Sequence, residues 1–305
     1  MNKKTQMFLW TFFGFLVLSF IINMSVASFS TGTDGGSAVF NRLGKQVGVV
    51  RIEGVIFNSE SIIKEINAFR EDARTVALLI RVDSPGGAVA PSQEIYHAIK
   101  KAAEAKPTVV SMGSVAASGG YYVSSPATKI FANPSTLTGS IGVIMQLDRY
   151  SKLLDKIGVE IEVLTAGRLK DAGSPVRELT REERQYFKDI LEDMHQQFIY
   201  DIIIGRNFTE NMDEDSVKSL VKIFADGKIL TGNQALELGL VDTLGSYQDA
   251  QNYIRETLDL PQSVSFTENR SPSNVLREMF SSIIPISNRF PLKRGGFYFI
   301  SEPLL

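Results

Sequence analysis

The stretch Ser111-Met-Gly-Ser-Val-Ala-Ala-Ser118-Gly-Gly-Tyr-Tyr-Val123 is the most informative part of this 305-residue chain. The residues before it, Pro107-Thr-Val-Val, favour a buried strand, and the small residues that follow are typical of a tight turn into a helix. Ser118 is therefore predicted at the start of that helix, where backbone N–H groups lack intrahelical acceptors and favour developing negative charge. A serine nucleophile needs this setting, although small residues also simply let a helix pack closely on a sheet.

Strands and helices alternate on both sides of this stretch. The predicted strands lie at residues 47–53, 76–82, 107–111, 129–132, 141–145 and 159–163. The predicted helices lie at residues 59–70, 91–105, 149–157, 181–204, 232–238 and 247–259. Such alternation indicates an α/β fold with a sheet largely covered by helices.

The composition excludes several classes of function. The 32 basic and 34 acidic residues nearly balance, so the chain carries no electrostatic footprint for nucleic acid. The absence of cysteine excludes disulfides, thiol catalysis and Cys-ligated zinc. With only His97 and His195, a His-rich metal site is not expected, but either histidine could still complete a catalytic triad assembled in space.

The N-terminus contains an uncharged apolar segment, residues 7–24, behind Lys3 and Lys4. A helix continuing to Phe29, at about 1.5 Å per residue, would span a hydrocarbon core of ~30 Å. The two lysines predict a cytoplasmic N-terminus and an exported body. The alternative is a cleaved signal peptide, because Ser25-Val-Ala27 resembles a cleavage site, but the apolar segment is longer than usual for one.

Two further segments are rich in turn formers. Asp83-Ser-Pro-Gly-Gly-Ala88 follows a predicted strand, and its backbone N–H groups could contact a ligand without side-chain obstruction; an ordinary type II turn is the alternative. Residues 166–175 are predicted to form a loop that carries one lysine, Lys170.

Taken together, these segments resemble a known family. The segments that carry the resemblance are Ala116-Ala-Ser118-Gly-Gly, Leu137-Thr-Gly-Ser-Ile-Gly142, Gly167-Arg-Leu-Lys170-Asp-Ala-Gly and Leu230-Thr-Gly-Asn-Gln-Ala. The chain resembles the short, single-domain form of the signal peptide peptidase A family. The resemblance implies a Clp protease/crotonase-like α/β fold. It also implies a Ser-Lys dyad, with Ser118 as nucleophile, Lys170 as general base, Ser140 as the hydroxyl that orients the lysine, and backbone amides of Gly86, Gly87 and Gly119 as the oxyanion hole.

The chemistry agrees with the residues present. A serine hydroxyl needs a base, and a desolvated lysine can act as one without any cofactor or metal. The resemblance implies a membrane-anchored serine endopeptidase that degrades cleaved signal peptides left in the membrane, with the catalytic domain outside the cytoplasm. It further implies a homo-oligomer in which neighbouring protomers complete each site. The alternatives are a crotonase-type acyl-CoA enzyme and an inactive scaffold of the same fold.

The resulting organisation has four parts. Residues 1–29 are predicted to form the cytoplasmic N-terminus and transmembrane anchor, 30–46 a linker, 47–260 the peptidase domain, and 261–305 a C-terminal tail. Within the tail, apolar residues at helical spacing predict an amphipathic helix over 274–284. The last segment, 293–300, is predicted either to add to a sheet edge or to lie in a groove.

Overall fold

The structure, a computed structural model, describes residues 44–268 and the strand at 297–300. Its strands are β1 (Gln46–Glu53), β2 (Thr75–Ser84), β3 (Gly86–Ala88), β4 (Thr108–Ala117), β5 (Lys129–Ala132), β6 (Leu137–Gly139), β7 (Ile144–Met145), β8 (Ile229–Thr231), β9 (Thr243–Leu244), β10 (Ser265–Glu268) and β11 (Phe297–Ile300). The main sheet has the order β10-β1-β2-β4-β5-β9, and all of these neighbours are parallel. β6 also pairs in parallel with β4, while β8 pairs antiparallel with β6.

A second, smaller sheet has the order β3-β11-β7 and is antiparallel. The helices within residues 44–268 are α1 (Glu60–Glu71), α2 (Val89–Ala105), α3 (Gly119–Ser124), α4 (Ser151–Ile157), α5 (Arg181–Gly205), α6 (Phe208–Asn211), α7 (Glu214–Phe224), α8 (Gly232–Glu237) and α9 (Tyr247–Thr257). The predicted α/β class is therefore confirmed.

Both faces of the main sheet are covered because its central strands are apolar on both faces. In β2, Leu78 and Ile80 belong to the larger core cluster, which includes residues of α1, α2, α3 and α5. Ala77 and Leu79 point to the opposite face and belong to a smaller cluster with α9. All four side chains are fully buried, and each such leucine or isoleucine stabilises the fold by about 1.5–3 kcal/mol.

One predicted strand is wrong. Residues 159–163 alternate apolar and acidic side chains, yet they form no strand, because no other strand within the described residues pairs with them. The N–H of Val159 instead donates back to the carbonyl of Leu154 at the end of α4. Helix α7 was not predicted from the sequence, although its buried Val217 and Phe224 lie at helical spacing behind an Asp213 N-cap.

The predicted membrane anchor at 1–29, most of the linker and the amphipathic helix at 274–284 lie outside the described residues. Among the residues that are described, no helix is both long enough and apolar enough to cross a membrane. Two short strands from the segment assigned to the tail join the fold. β10 extends the main sheet beside β1, and β11 lies between β3 and β7.

Candidate active site

Ser118 lies at the junction of β4 and α3, as the sequence predicts. Its backbone has φ 52° and ψ −115°, a conformation that non-glycine residues rarely adopt and that is typical of functional sites. The Ser118 N–H donates to the carbonyl of Gly139 at 2.7 Å, and its own carbonyl accepts from the N–H of Tyr122 at 2.8 Å. Hydrogen bonds from two directions therefore maintain the strained turn.

The hydroxyl of Ser118 is buried and has no hydrogen-bond partner among the described residues. The residue is 1% exposed, and within the described part of the chain its Oγ makes no hydrogen bond. Buried hydroxyls are nearly always hydrogen-bonded, since leaving one unpaired costs about 1–3 kcal/mol. An unpaired hydroxyl on a strained backbone is consistent with a serine nucleophile.

Ser140 lies next to Ser118 in the sheet register. Ala117 at the end of β4 pairs with Gly139 at the end of β6, so the two serines follow the ends of neighbouring parallel strands. Ser140 also has a positive φ, 51°, and its N–H donates to the carbonyl of Lys228 at 2.8 Å. The structure thus brings the predicted nucleophile and the predicted orienting serine together.

The glycine turn at the end of β2 lies beside α3, the helix that follows Ser118. A Cβ on Gly87 would lie 2.0 Å from the carbonyl oxygen of Ile56, so only glycine allows this approach. Gly86 has φ 105°, and its N–H donates to Ser84 Oγ at 3.1 Å. Gly119, the third predicted oxyanion donor, is the first residue of α3, where N–H groups have no intrahelical acceptor.

An extended segment of the chain lies beside this turn. Phe299 of β11 pairs with Gly87 of β3, and Phe297 pairs with Met145 of β7, both antiparallel. Of the two possibilities predicted for this segment, the structure shows strand pairing. β3 and β7 therefore accept an extended backbone between them.

Lys170 lies in a loop of successive turns, and its side chain is exposed. The loop reverses at Gly167, which has φ 109° and accepts the N–H of Lys170 at 3.1 Å. Because Ser118 Oγ has no partner in the described part of the chain, Lys170 is not hydrogen-bonded to it. Within a single chain, the predicted base and the predicted nucleophile are not brought together.

The segment that contains Ser118, Ser140 and Lys170 matches a known family model. The model of peptidase family S49 matches residues 100–260, which is more than half of the chain. The chain belongs to peptidase family S49. The Clp protease family model matches residues 36–140, in agreement with the predicted Clp-like fold.

Curated relatives agree with this assignment. A putative protease of Synechocystis sp. is 37% identical over 77% of this chain and 83% of its own length. A putative signal peptide peptidase SppA of Enterococcus faecium is 37% identical over 66% of this chain and 56% of its own length. Protease 4 of Salmonella typhi is 35% identical over 72% of this chain but only 36% of its own length. The resemblance to the signal peptide peptidase A family is confirmed, and the family is one of proteases.

Neither histidine of this S49 chain reaches the candidate nucleophile. His97 is exposed on α2 and lies edge-on to the ring of Tyr96. His195 on α5 contacts the carbonyl of Ile141 through Nε2 at 3.2 Å, directly after Ser140. A cavity of about 550 Å³ opens at this point, between α5 and the segment that follows Ser140.

An ion cluster centred on Arg177 lies next to Lys170 and was not predicted from the sequence. Arg177 donates through Nε to Asp171 Oδ2 at 2.8 Å and through Nη1 to Glu183 Oε2 at 2.9 Å. Its guanidinium lowers the pKa of Asp171 and, with the backbone N–H of Thr180, lowers the pKa of Glu183 to about 2. Thr180 and Glu183 also form a capping box at the start of α5. Arg177, which joins the start of α5 to the lysine loop, belongs to no local sequence pattern.

Proposed function

We propose that this chain is a serine endopeptidase with Ser118 as its nucleophile and Lys170 as its general base. The observation that carries the proposal is the buried, unpaired Oγ of Ser118 on a strained backbone, within a chain of a protease family. An inert structural serine at this place would be expected to hydrogen-bond to a neighbour.

In the proposed reaction, Ser118, Lys170 and the backbone N–H groups each have a separate role. Lys170 Nζ takes the proton of Ser118 Oγ as the oxygen attacks the peptide carbonyl, and then gives that proton to the leaving amine. The backbone N–H of Gly119 stabilises the oxyanion. Gly87, which pairs with Phe299, and Gly86, whose N–H donates to Ser84 Oγ, join it when those partners are released. Each such donor contributes about 3–4 kcal/mol of transition-state stabilisation. A water molecule then hydrolyses the acyl-enzyme by the same route in reverse.

Labelling and cleavage test this proposal. Wild-type enzyme should react with a fluorophosphonate and cleave a synthetic signal peptide, whereas Ser118→Ala should do neither. Lys170→Ala should lose both by about 10⁴-fold, the scale seen when a member of a catalytic unit is removed. Ser114→Ala, an exposed serine on the same strand, and Lys152→Ala, an exposed lysine, serve as matched controls. Full labelling of Ser118→Ala would refute the nucleophile, and full activity of Lys170→Ala would refute the base.

We further propose that a second copy of the chain completes the site. A lysine acts as a base only when it is neutral, and burial away from water favours the neutral form. Lys170 is exposed in the single chain, so another surface must cover it. The segment before its loop carries six exposed apolar side chains in twelve residues: Leu153, Ile157, Val159, Ile161, Val163 and Leu164. Such a patch is typical of an interface between protein chains.

Subunit mixing tests the shared site. Ser118→Ala and Lys170→Ala chains are each expected to be inactive alone, while co-assembled mixtures should regain part of the wild-type rate. Light scattering must show one mixed assembly before activity is measured. Mixed assemblies without any recovered activity would contradict a site formed between subunits.

The substrates proposed are signal peptides that remain in the membrane after cleavage. Support comes from the uncharged N-terminal segment and from the name of the Enterococcus relative.

The cell location proposed is the membrane, with the N-terminus in the cytoplasm and the peptidase domain outside. In cells, the peptidase domain should be digested by external protease while the enzyme resists carbonate extraction. Release by carbonate, or protection from external protease, would contradict this arrangement.

A further inference from the structure

Arg177 connects the lysine loop to the N-terminus of α5. It reaches the loop through the side chain of Asp171, which is adjacent to Lys170, and through the carbonyl of Asp171 at 3.2 Å. It reaches the helix through both carboxylate oxygens of Glu183. One guanidinium therefore connects the lysine loop directly to the first turn of α5.

The helix side of this connection is rigid. Glu183 is 3% exposed, and its carboxylate also accepts the backbone N–H of Thr180 at 2.8 Å in the capping box. The Thr180 hydroxyl in turn accepts the N–H of Glu183 at 3.1 Å. A buried carboxylate fixed by a helix cap and by a two-pronged guanidinium has little freedom to move.

A neighbouring ion pair provides a contrast. Arg168, two residues before Lys170, pairs with Glu182, so it also links the loop to α5. Its side chain is 70% exposed and that of Glu182 is 52% exposed, which places the pair in solvent. Pairs of this kind contribute little, because water screens them and two long side chains lose freedom. The loop thus has one partly buried anchor, at Arg177, and one exposed anchor, at Arg168.

We propose that Arg177 and Glu183 are positioning residues that hold Lys170 in its working orientation. The inference rests on the proposed role of Lys170 as the base. Arg177 contacts the backbone of Asp171, so a shift of the guanidinium moves the main chain that carries Lys170. A reacting group displaced by about 1 Å commonly loses about 10²-fold in rate, while substrate binding elsewhere is unaffected.

Steady-state kinetics on three variants test the inference. Glu183→Gln removes the charge but keeps a residue that capping boxes accept, and Arg177→Met removes the guanidinium. Both should lower kcat by about 10²-fold with KM unchanged within about twofold. Glu182→Gln, the adjacent carboxylate of the exposed pair, is the matched control and should keep kcat within about twofold.

Chemical rescue separates positioning from a general loss of structure. Arg177→Ala should regain part of its kcat in millimolar guanidinium, whereas Lys170→Ala and wild type should not respond. Circular dichroism and light scattering check that each variant is folded and assembled. Wild-type kcat in Arg177→Met, or an equal loss in Glu182→Gln, would overturn the inference while leaving the dyad intact. Full activity of Lys170→Ala would instead overturn the proposed function.

Discussion

The serine side and the lysine side of the candidate site are built by different forces. Ser118 lies at the end of a core strand, almost fully buried, and its backbone is held by hydrogen bonds to neighbouring elements. Lys170 lies in an exposed loop that an ion cluster ties to α5. Packing therefore positions the candidate nucleophile within one chain, whereas charge pairs position the loop of the candidate base. Each side should accordingly fail under its own kind of perturbation.

The largest effect is expected from adding one methyl group on the serine side. A Cβ on Gly120 would lie 2.5 Å from the carbonyl oxygen of Ser84, so Gly120→Ala must push α3 away from β2. We expect a loss of about 3 kcal/mol in the free energy of unfolding, measured by urea denaturation. Gly44→Ala, which has nothing within 4 Å, is the control and should change it by less than about 0.5 kcal/mol. Equal unfolding free energies for Gly120→Ala and Gly44→Ala would show that close packing does not define the serine side.

Acid should weaken the lysine side selectively. The carboxylate of Glu183 has its pKa lowered from an ordinary 4.5 to about 2, mainly by its hydrogen bonds to Arg177. The stabilisation it provides is therefore complete above about pH 4.5 and is lost as the pH falls toward 2. The difference in unfolding free energy between wild type and Glu183→Gln should shrink over this range. A difference that stays constant with pH would show that the pair contributes no charge-dependent stability.

A moderate effect on activity is expected from His195. With its proton on Nε2, the imidazole donates to the carbonyl of Ile141 and steadies the residue next to Ser140. His195→Ala should lower kcat about tenfold, equivalent to about 1.4 kcal/mol, and His195→Gln should retain most of it because the amide can donate. His97→Ala, which removes an exposed ring, should have no effect. Complete loss of activity in both His195 variants would identify His195 as the general base and not as a residue that positions Ile141.

The smallest effect on stability is expected on the exposed segment before the lysine loop. Leu164 is 88% exposed, so Leu164→Ala should change the unfolding free energy of the dilute, monomeric chain by less than about 0.5 kcal/mol. Leu79→Ala, at a fully buried position, should cost about 2–5 kcal/mol in the same assay. A large loss in Leu164→Ala under those conditions would mean that this surface packs within its own chain.

The sequence predicted the serine side far better than the lysine side. The strand, the turn and the small residues around Ser118 are local signals, and the structure places each of them as expected. Residues 159–163 show the limit of such signals, because alternation predicts a strand but cannot supply a partner. The pairing of β11 with β3 joins residues more than 200 positions apart, and Arg177 joins segments without any periodic pattern. Long-range pairing and ion clusters are set by the fold, so they leave no short motif.

The pairing of β1 with β10 has a consequence for how the chain is made. Gln46 aligns with Ser265, and Arg51 bonds to Glu268, so the first strand gains its outer neighbour only from the end of the domain. A ribosome must therefore synthesise more than 200 further residues before that edge can close. Contacts of such long sequence separation slow folding and prolong the exposure of unpaired strand edges. Nascent chains stopped before residue 265 should thus be the form most dependent on chaperones.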